Sequence, residues 1–106
     1  MPGAPTHLEV LTLAAIARIG DDAYGVTIRQ EIADRTGREV SMAAVYAALE
    51  RLDLHGLVRP RLSDSLPERG GRARRHYSLT ASGWALVRRE RAKALRMWRG
   101  LPLYGR

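Results

Sequence analysis

The sequence predicts a mainly α fold with a two-stranded β-wing and one further helix after the wing. Three observations predict it. Four segments carry apolar residues at helical spacing, and each is preceded by a residue that caps helices. The stretch Leu57–Thr80, LVRPRLSDSLPERGGRARRHYSLT, reads instead as two short strands, Leu57–Leu62 and Arg74–Leu79, around an arginine- and glycine-rich tip. Charge is divided along the chain: residues 1–56 are net −3 and residues 57–106 net +10, within a total of +7.

Thr6 opens the first helix, Thr6–Ile19, and Glu9 three residues later completes a capping box. Leu8, Val10, Leu11, Leu13, Ala14, Ala15, Ile16 and Ile19 surround its axis rather than lining one stripe. A helix apolar on all sides is covered on all sides. Its second cover is either the rest of a small core or, as we expect here, another subunit. Gly20 ends this helix and Asp21-Asp22 is expected to cap the next, Tyr24–Thr36, which Gly37 stops. Ser41 then caps Met42–His55, with Met42, Val45, Ala48, Leu49 and Leu52 on one stripe. The opposite side offers Ala43, Tyr46, Ala47, Glu50 and Arg51.

Two helices joined by a turn of about four residues, the second bearing small residues in its first exposed turns, form a helix-turn-helix pattern. Small residues permit close approach to the floor of a DNA groove. The strand pair that follows makes the pattern a winged helix-turn-helix, so that helix and basic ribbon would grip one duplex. A basic excess confined to one part of a chain is the footprint of a polyanionic partner. After the wing, Thr80 caps Ala81–Arg99. Trp84, Val87, Ala94, Leu95 and Trp98 share one face of that helix, while Leu86 and Met97 form a narrower second strip. Two strips on a terminal helix point to packing on the chain's own core and on a partner. Residues 6–80 thus read as the DNA-binding unit and 81–99 as a dimerisation helix of the same compact body.

Composition bounds the rest. A chain of 106 residues makes one domain, able to bury roughly 65% of its extended surface. With no Phe and 6% aromatic residues, its core must be aliphatic. The absence of cysteine removes disulfides and thiolate metal sites. No apolar run reaches the ~18 residues of a membrane span, and no signal peptide is visible, so a cytoplasmic location is expected.

Several stretches resemble the PadR family of bacterial winged-helix transcriptional regulators in its short form. They are LEVLTLAAI (Leu8–Ile16), AYGVTIRQEI (Ala23–Ile32), VSMAAVYAALERLDLHGLV (Val40–Val58) and RGGRARRHYSLT (Arg69–Thr80), followed by Ala81-Ser82-Gly83. Tyr24-Gly25, the Val45-Tyr46 pair with Leu49 and Leu52, and the Arg-Gly-Gly-Arg wing with Tyr77-Ser78-Leu79-Thr80 are the most specific of these. The resemblance implies a homodimeric regulator, usually a repressor, on a pseudo-palindromic operator. It implies a third helix in the major groove, a wing on backbone or minor groove, and a dimer interface made by the first and last helices. Some members release DNA when a phenolic or other aromatic compound binds near that interface. This chain has one helix after the wing where longer members carry a larger C-terminal domain.

The DNA-binding residues expected are Ser41, Ala43, Ala44, Tyr46, Ala47, Arg51, Arg69, Arg72, Arg74 and Arg75. Tyr46 has an alternative as an amphipathic residue on the core rim, and Ser41 as a cap alone. The wing arginines could instead form a solvated loop, although four like charges in seven residues repel one another until a polyanion relieves them. Arg51 could pair within its helix with Glu50 or Asp53. The dimer-interface residues expected are Leu8, Leu11, Ala15, Trp84, Val87, Leu95 and Trp98. Trp84 and Trp98 either pack in that interface or, from two subunits, frame a slot for a planar aromatic effector. His7, His55 and His76 are too scattered for a metal site, and no cofactor is indicated. No Ser/His/Asp set, phosphate loop or HExxH motif offers catalysis a foothold. The rival reading is a winged-helix module for an acidic partner protein. A single-strand or RNA binder would need exposed aromatics on the ribbon, where only Tyr77 stands, expected to face the sheet.

Overall fold

The structure, a computed structural model, describes residues 3–63 and 74–105. Its helices are α1 (His7–Ile19), α2 (Gly25–Thr36), α3 (Met42–Leu54) and α4 (Ala81–Trp98), and its strands β1 (Val58–Leu62) and β2 (Arg75–Leu79). The mainly α fold with a two-stranded wing is therefore what forms, with each strand starting one residue later than the sequence suggests. The strands pair antiparallel, from Val58 opposite Leu79 to Leu62 opposite Arg75. Among the described residues, these two strands make up the whole sheet.

Local chemistry sets most of the boundaries. The capping box of α1 is present: Glu9 N–H donates to Thr6 Oγ1 at 3.1 Å, and Thr6 N–H to Glu9 Oε1 at 3.0 Å. Ser41 Oγ accepts from Ala44 N–H at 3.0 Å, and Thr80 Oγ1 from Gly83 N–H at 3.1 Å. Gly37 ends α2 in the left-handed conformation that glycine adopts freely. The second helix departs from expectation. Asp21-Asp22 does not cap it, because Gly20–Asp22 forms a 3-10 turn instead, and Tyr24 holds the N-cap position. The cap is made in reverse: Tyr24 N–H donates to Thr27 Oγ1, whose hydroxyl donates to Asp22 O at 2.6 Å.

The core is aliphatic apart from Tyr77 and draws on every helix and both strands. Leu13 and Ile16 of α1, Ile28 and Ile32 of α2, and Val45, Leu49 and Leu52 of α3 meet Val58, Tyr77, Leu79 and Leu86. Fully burying a side chain of this class contributes about 1.5–3 kcal/mol. Thr12, buried on α1, satisfies its hydroxyl on Leu8 O within its own helix. The narrower apolar strip of α4 divides along its length: Leu86 is buried in the core, whereas Met97 is 77% exposed. Every residue from Arg91 to Gly100 is exposed. The radius of gyration, 15.8 Å, exceeds the about 13 Å of a compact chain this long, and the longest dimension is 60 Å. The second half of α4 is an arm that leaves the body.

Candidate nucleic-acid interface

On α3 the buried stripe of Val45, Ala48, Leu49 and Leu52 turns the opposite side outward. That outer side is a low ridge. Ala43 and Ala47 are exposed, Tyr46 stands beside them at 53% exposure, and Glu50 continues the line one turn on. Ala44 is half-buried on the flank of the ridge. Ser41 sits exposed at the N-terminal end, its hydroxyl already used as the cap. Between this ridge and β2 lies a cleft of about 620 Å³, lined by Ala43, Tyr46, Ala47, Glu50, Asp53, Arg75 and Tyr77. The helix with small residues and the second strand of the ribbon thus share one continuous face.

The cleft contains both signs of charge, Arg75 against Glu50 and Asp53. Tyr77, buried as expected, closes its floor. Burial pushes the Tyr77 phenol above its ordinary 10.0; Arg75 opposes this, and Asp53, Tyr46 and Glu50 add to it. Tyr77 therefore keeps its proton at neutral pH.

The wing is tied down at its base by contacts that the sequence does not announce. Tyr24 and His76 form an isolated antiparallel bridge, and Tyr77 N–H donates to Ala23 O at 2.8 Å. Arg61, opposite His76 in the ladder, donates to Asp21 O at 3.0 Å. His76 is buried with its Nε2 3.7 Å from Asp22 Oδ1 and its ring edge-on to Tyr24. Arg74 lies over the Tyr24 ring, 4.7 Å from its centroid. Successive residues of a strand point to opposite faces, so Arg74 caps the base of the wing while Arg75 enters the cleft. Arg69, Arg72 and the Gly70-Gly71 pair lie outside the described residues.

Arg51 pairs with neither Glu50 nor Asp53. Its Nε donates to Glu9 Oε2 at 2.7 Å, linking α3 to the first turn of α1. Glu9 is buried and Arg51 exposed, so the guanidinium is anchored on one side and open on the other. Sequence offers no signal for a pair 42 residues apart. Two other contacts were equally silent: the wing base on the 3-10 turn, and Gly25 beneath Tyr46.

Of the expected interface residues, Ala15 is buried in the chain's own core, while Leu8, Leu11 and Val87 are half-buried at its edge. Trp84, Leu95 and Trp98 are exposed. An apolar groove of about 500 Å³ runs between α1 and α4, walled by Val10, Ala14, Ala17, Val87 and Ala94. Trp84 and Trp98, fourteen residues apart, stand ~21 Å from each other along the helix axis. A slot framed by both indoles can therefore form only between two chains. Among the described residues no group of three or more His, Cys, Asp or Glu side chains could hold a metal, and no helix is long and apolar enough to cross a membrane.

The four helices, the ribbon and the shared face define a winged helix-turn-helix protein of the transcription-regulator class. Residues 13–89 match the transcriptional regulator PadR-like family, and the chain belongs to it. The same fold is found in solved structures. A PadR family transcription regulator from Clostridium difficile R20291 superposes with a TM-score of 0.66 at 22% identity, over 90% of this chain and 100% of the other. A Streptococcus mutans UA159 protein gives 0.71 at 24% identity, over 92% and 84%. Bacillus subtilis PadR, solved in complex with operator DNA, gives 0.67 at 18% identity, over 95% of this chain and 52% of the other. Comparison with the curated proteins gives no match.

Proposed function

We propose that this chain is a sequence-specific DNA-binding regulator that works as a homodimer on a pseudo-palindromic operator, with repression as its mode of action. One observation carries the reading: the small-residue ridge of α3 and Arg75 of β2 line a single cleft. A low ridge of alanines suits insertion into the major groove, and a basic ribbon beside it suits the phosphate backbone. In this reading residues 6–80 form the DNA-binding unit. Base contacts come from Ala43, Ala44, Tyr46 and Ala47, and phosphate contacts from Ser41, Arg51 and the wing arginines Arg69, Arg72, Arg74 and Arg75. Most of the affinity then comes from the phosphates and most of the specificity from α3.

The homodimer would be built by residues 81–99 with α1, through Leu8, Leu11, Val87 and the exposed Trp84, Leu95 and Trp98; Ala15 supports this face from beneath. Two-fold symmetry would place the recognition helices one helical turn of DNA apart, roughly 34 Å. In this reading the paired indoles of two subunits are the place for a flat aromatic effector. A cytoplasmic location follows from a partner that is genomic DNA. DNA binding is supported by the family and by the Bacillus subtilis PadR solved with operator DNA; repression and operator symmetry are what the family resemblance implies.

Selection of bound sequences from a random duplex pool tests the reading. An inverted repeat with half-sites one turn apart is expected, and Ala47→Glu should abolish its recognition while the protein stays folded. A protein indifferent to duplex at low salt, but retained on an acidic protein, would instead favour the interaction-module alternative.

A further inference from the structure

We infer that Gly25 is a positioning residue that sets where Tyr46 stands on the recognition face; the inference rests on the DNA-binding reading of α3 given above. Gly25 opens α2, is buried, and has no positive φ, so its backbone conformation does not call for glycine. What calls for it is its neighbour. A Cβ built there would stand 2.8 Å from Cε1 and from the hydroxyl oxygen of Tyr46 and 2.9 Å from Cζ. Carbon atoms pack at about 3.5–4.0 Å, so no side chain at 25 can coexist with the phenol where it lies.

The direction of the contact matters. Tyr46 touches Gly25 with the outer end of its ring, the part that carries the hydroxyl, while the ring as a whole is half-exposed. An added methyl group would therefore displace the phenol rather than break the core. The ring's way out is toward solvent or across the cleft that Ala43, Ala47 and Arg75 line. Either course removes the hydroxyl from its place beside the first turn of α2, and the second raises an obstacle on a ridge that is otherwise only alanine high. Gly25 thus acts on DNA through Tyr46, from a different helix and twenty-one positions away.

A double-mutant cycle tests this. Wild type, Gly25→Ala, Tyr46→Ala and the double variant are measured for binding to the selected inverted-repeat duplex and for thermal melting. Gly25→Ala and Tyr46→Ala should each weaken binding about tenfold or more, and the double variant should bind no worse than Tyr46→Ala alone. Melting should reverse in sign: alanine is the better helix former, so Gly25→Ala should raise Tm once residue 46 is alanine, and not while Tyr46 is present. Where Tyr46→Ala weakens binding, losses that multiply in the double variant, or wild-type binding by Gly25→Ala, would overturn the inference. If Tyr46→Ala binds like wild type, the DNA role of Tyr46 in the proposed function fails, and the melting cycle alone decides whether Gly25 positions the ring. Should Gly25→Ala not fold, recovery of a folded protein in the double variant supports the inference, and failure to recover overturns it.

Discussion

Arg51 answers two demands with one guanidinium. Its Nε is committed to the buried carboxylate of Glu9, whose other oxygen closes the α1 capping box. Removing the arginine leaves a side chain only 7% exposed with its charge uncompensated. A hydrogen bond to a charged group contributes about 2 kcal/mol, which in a domain of this size corresponds to a Tm lowered by about 10 °C. Arg51→Ala should show a loss of that order at matched protein concentration. Glu9→Gln, which keeps an acceptor for Thr6, should lose less, and the double variant should melt no lower than Arg51→Ala; additive losses would mean the two do not act as a pair. Tyr77 supports a second test at this scale. Its folded-state pKa lies above 10.0, so above that pH the unfolded chain releases a proton that the folded chain retains. Stability due to this tyrosine is present below pH 10 and falls as pH rises past it. Tyr77→Phe should flatten the alkaline decline in denaturant midpoint; an unchanged decline would show that the buried phenol is not its source.

At the scale of elements, the joint between the wing and α4 is tightly built. Thr80 N–H donates to Leu57 O, its hydroxyl donates to Gly56 O at 2.7 Å, and the same oxygen caps α4 through Gly83 N–H. A Cβ on Gly83 would overlap the carbonyl oxygen of Leu57, which is backbone and cannot swing away. Gly83→Ala should therefore destabilise by about 1–3 kcal/mol, as overpacking does, despite the better helix propensity of alanine; an equal or higher urea midpoint would show that the joint relaxes freely. The same joint shows what sequence makes legible. Thr80, Ser41 and Thr6 mark their helices because a cap is a contact over three residues, and the low ridge of α3 follows from helical periodicity alone. Gly83 against Leu57, Gly25 beneath Tyr46 and Arg51 on Glu9 are contacts between elements, set by packing that periodicity does not encode. Asp21-Asp22 fails to cap α2 in the same setting: it lies in a 3-10 turn whose neighbourhood the wing contacts at Asp21 O and Ala23 O.

At the scale of the whole molecule, the second half of α4 stands out from the body as an arm. A helix whose last eight residues are all exposed, and which carries Leu95, Met97 and Trp98 among them, leaves apolar surface that water penalises. Continuity with the apolar groove between α1 and α4 makes a second copy, laid across both helices, the natural cover. In the proposed homodimer the arm would also set the spacing of the two recognition helices on DNA. Leu95→Glu with Trp98→Glu should therefore convert a dimer to a monomer in sedimentation velocity, without lowering helix content. The mutant should keep its salt-dependent affinity for a single half-site, because α3 and the wing are untouched, but lose the joint binding that an inverted repeat allows. A variant that stays dimeric would place the two-fold axis elsewhere on the chain, and one that is monomeric yet binds the full repeat as tightly as wild type would remove the arm from recognition.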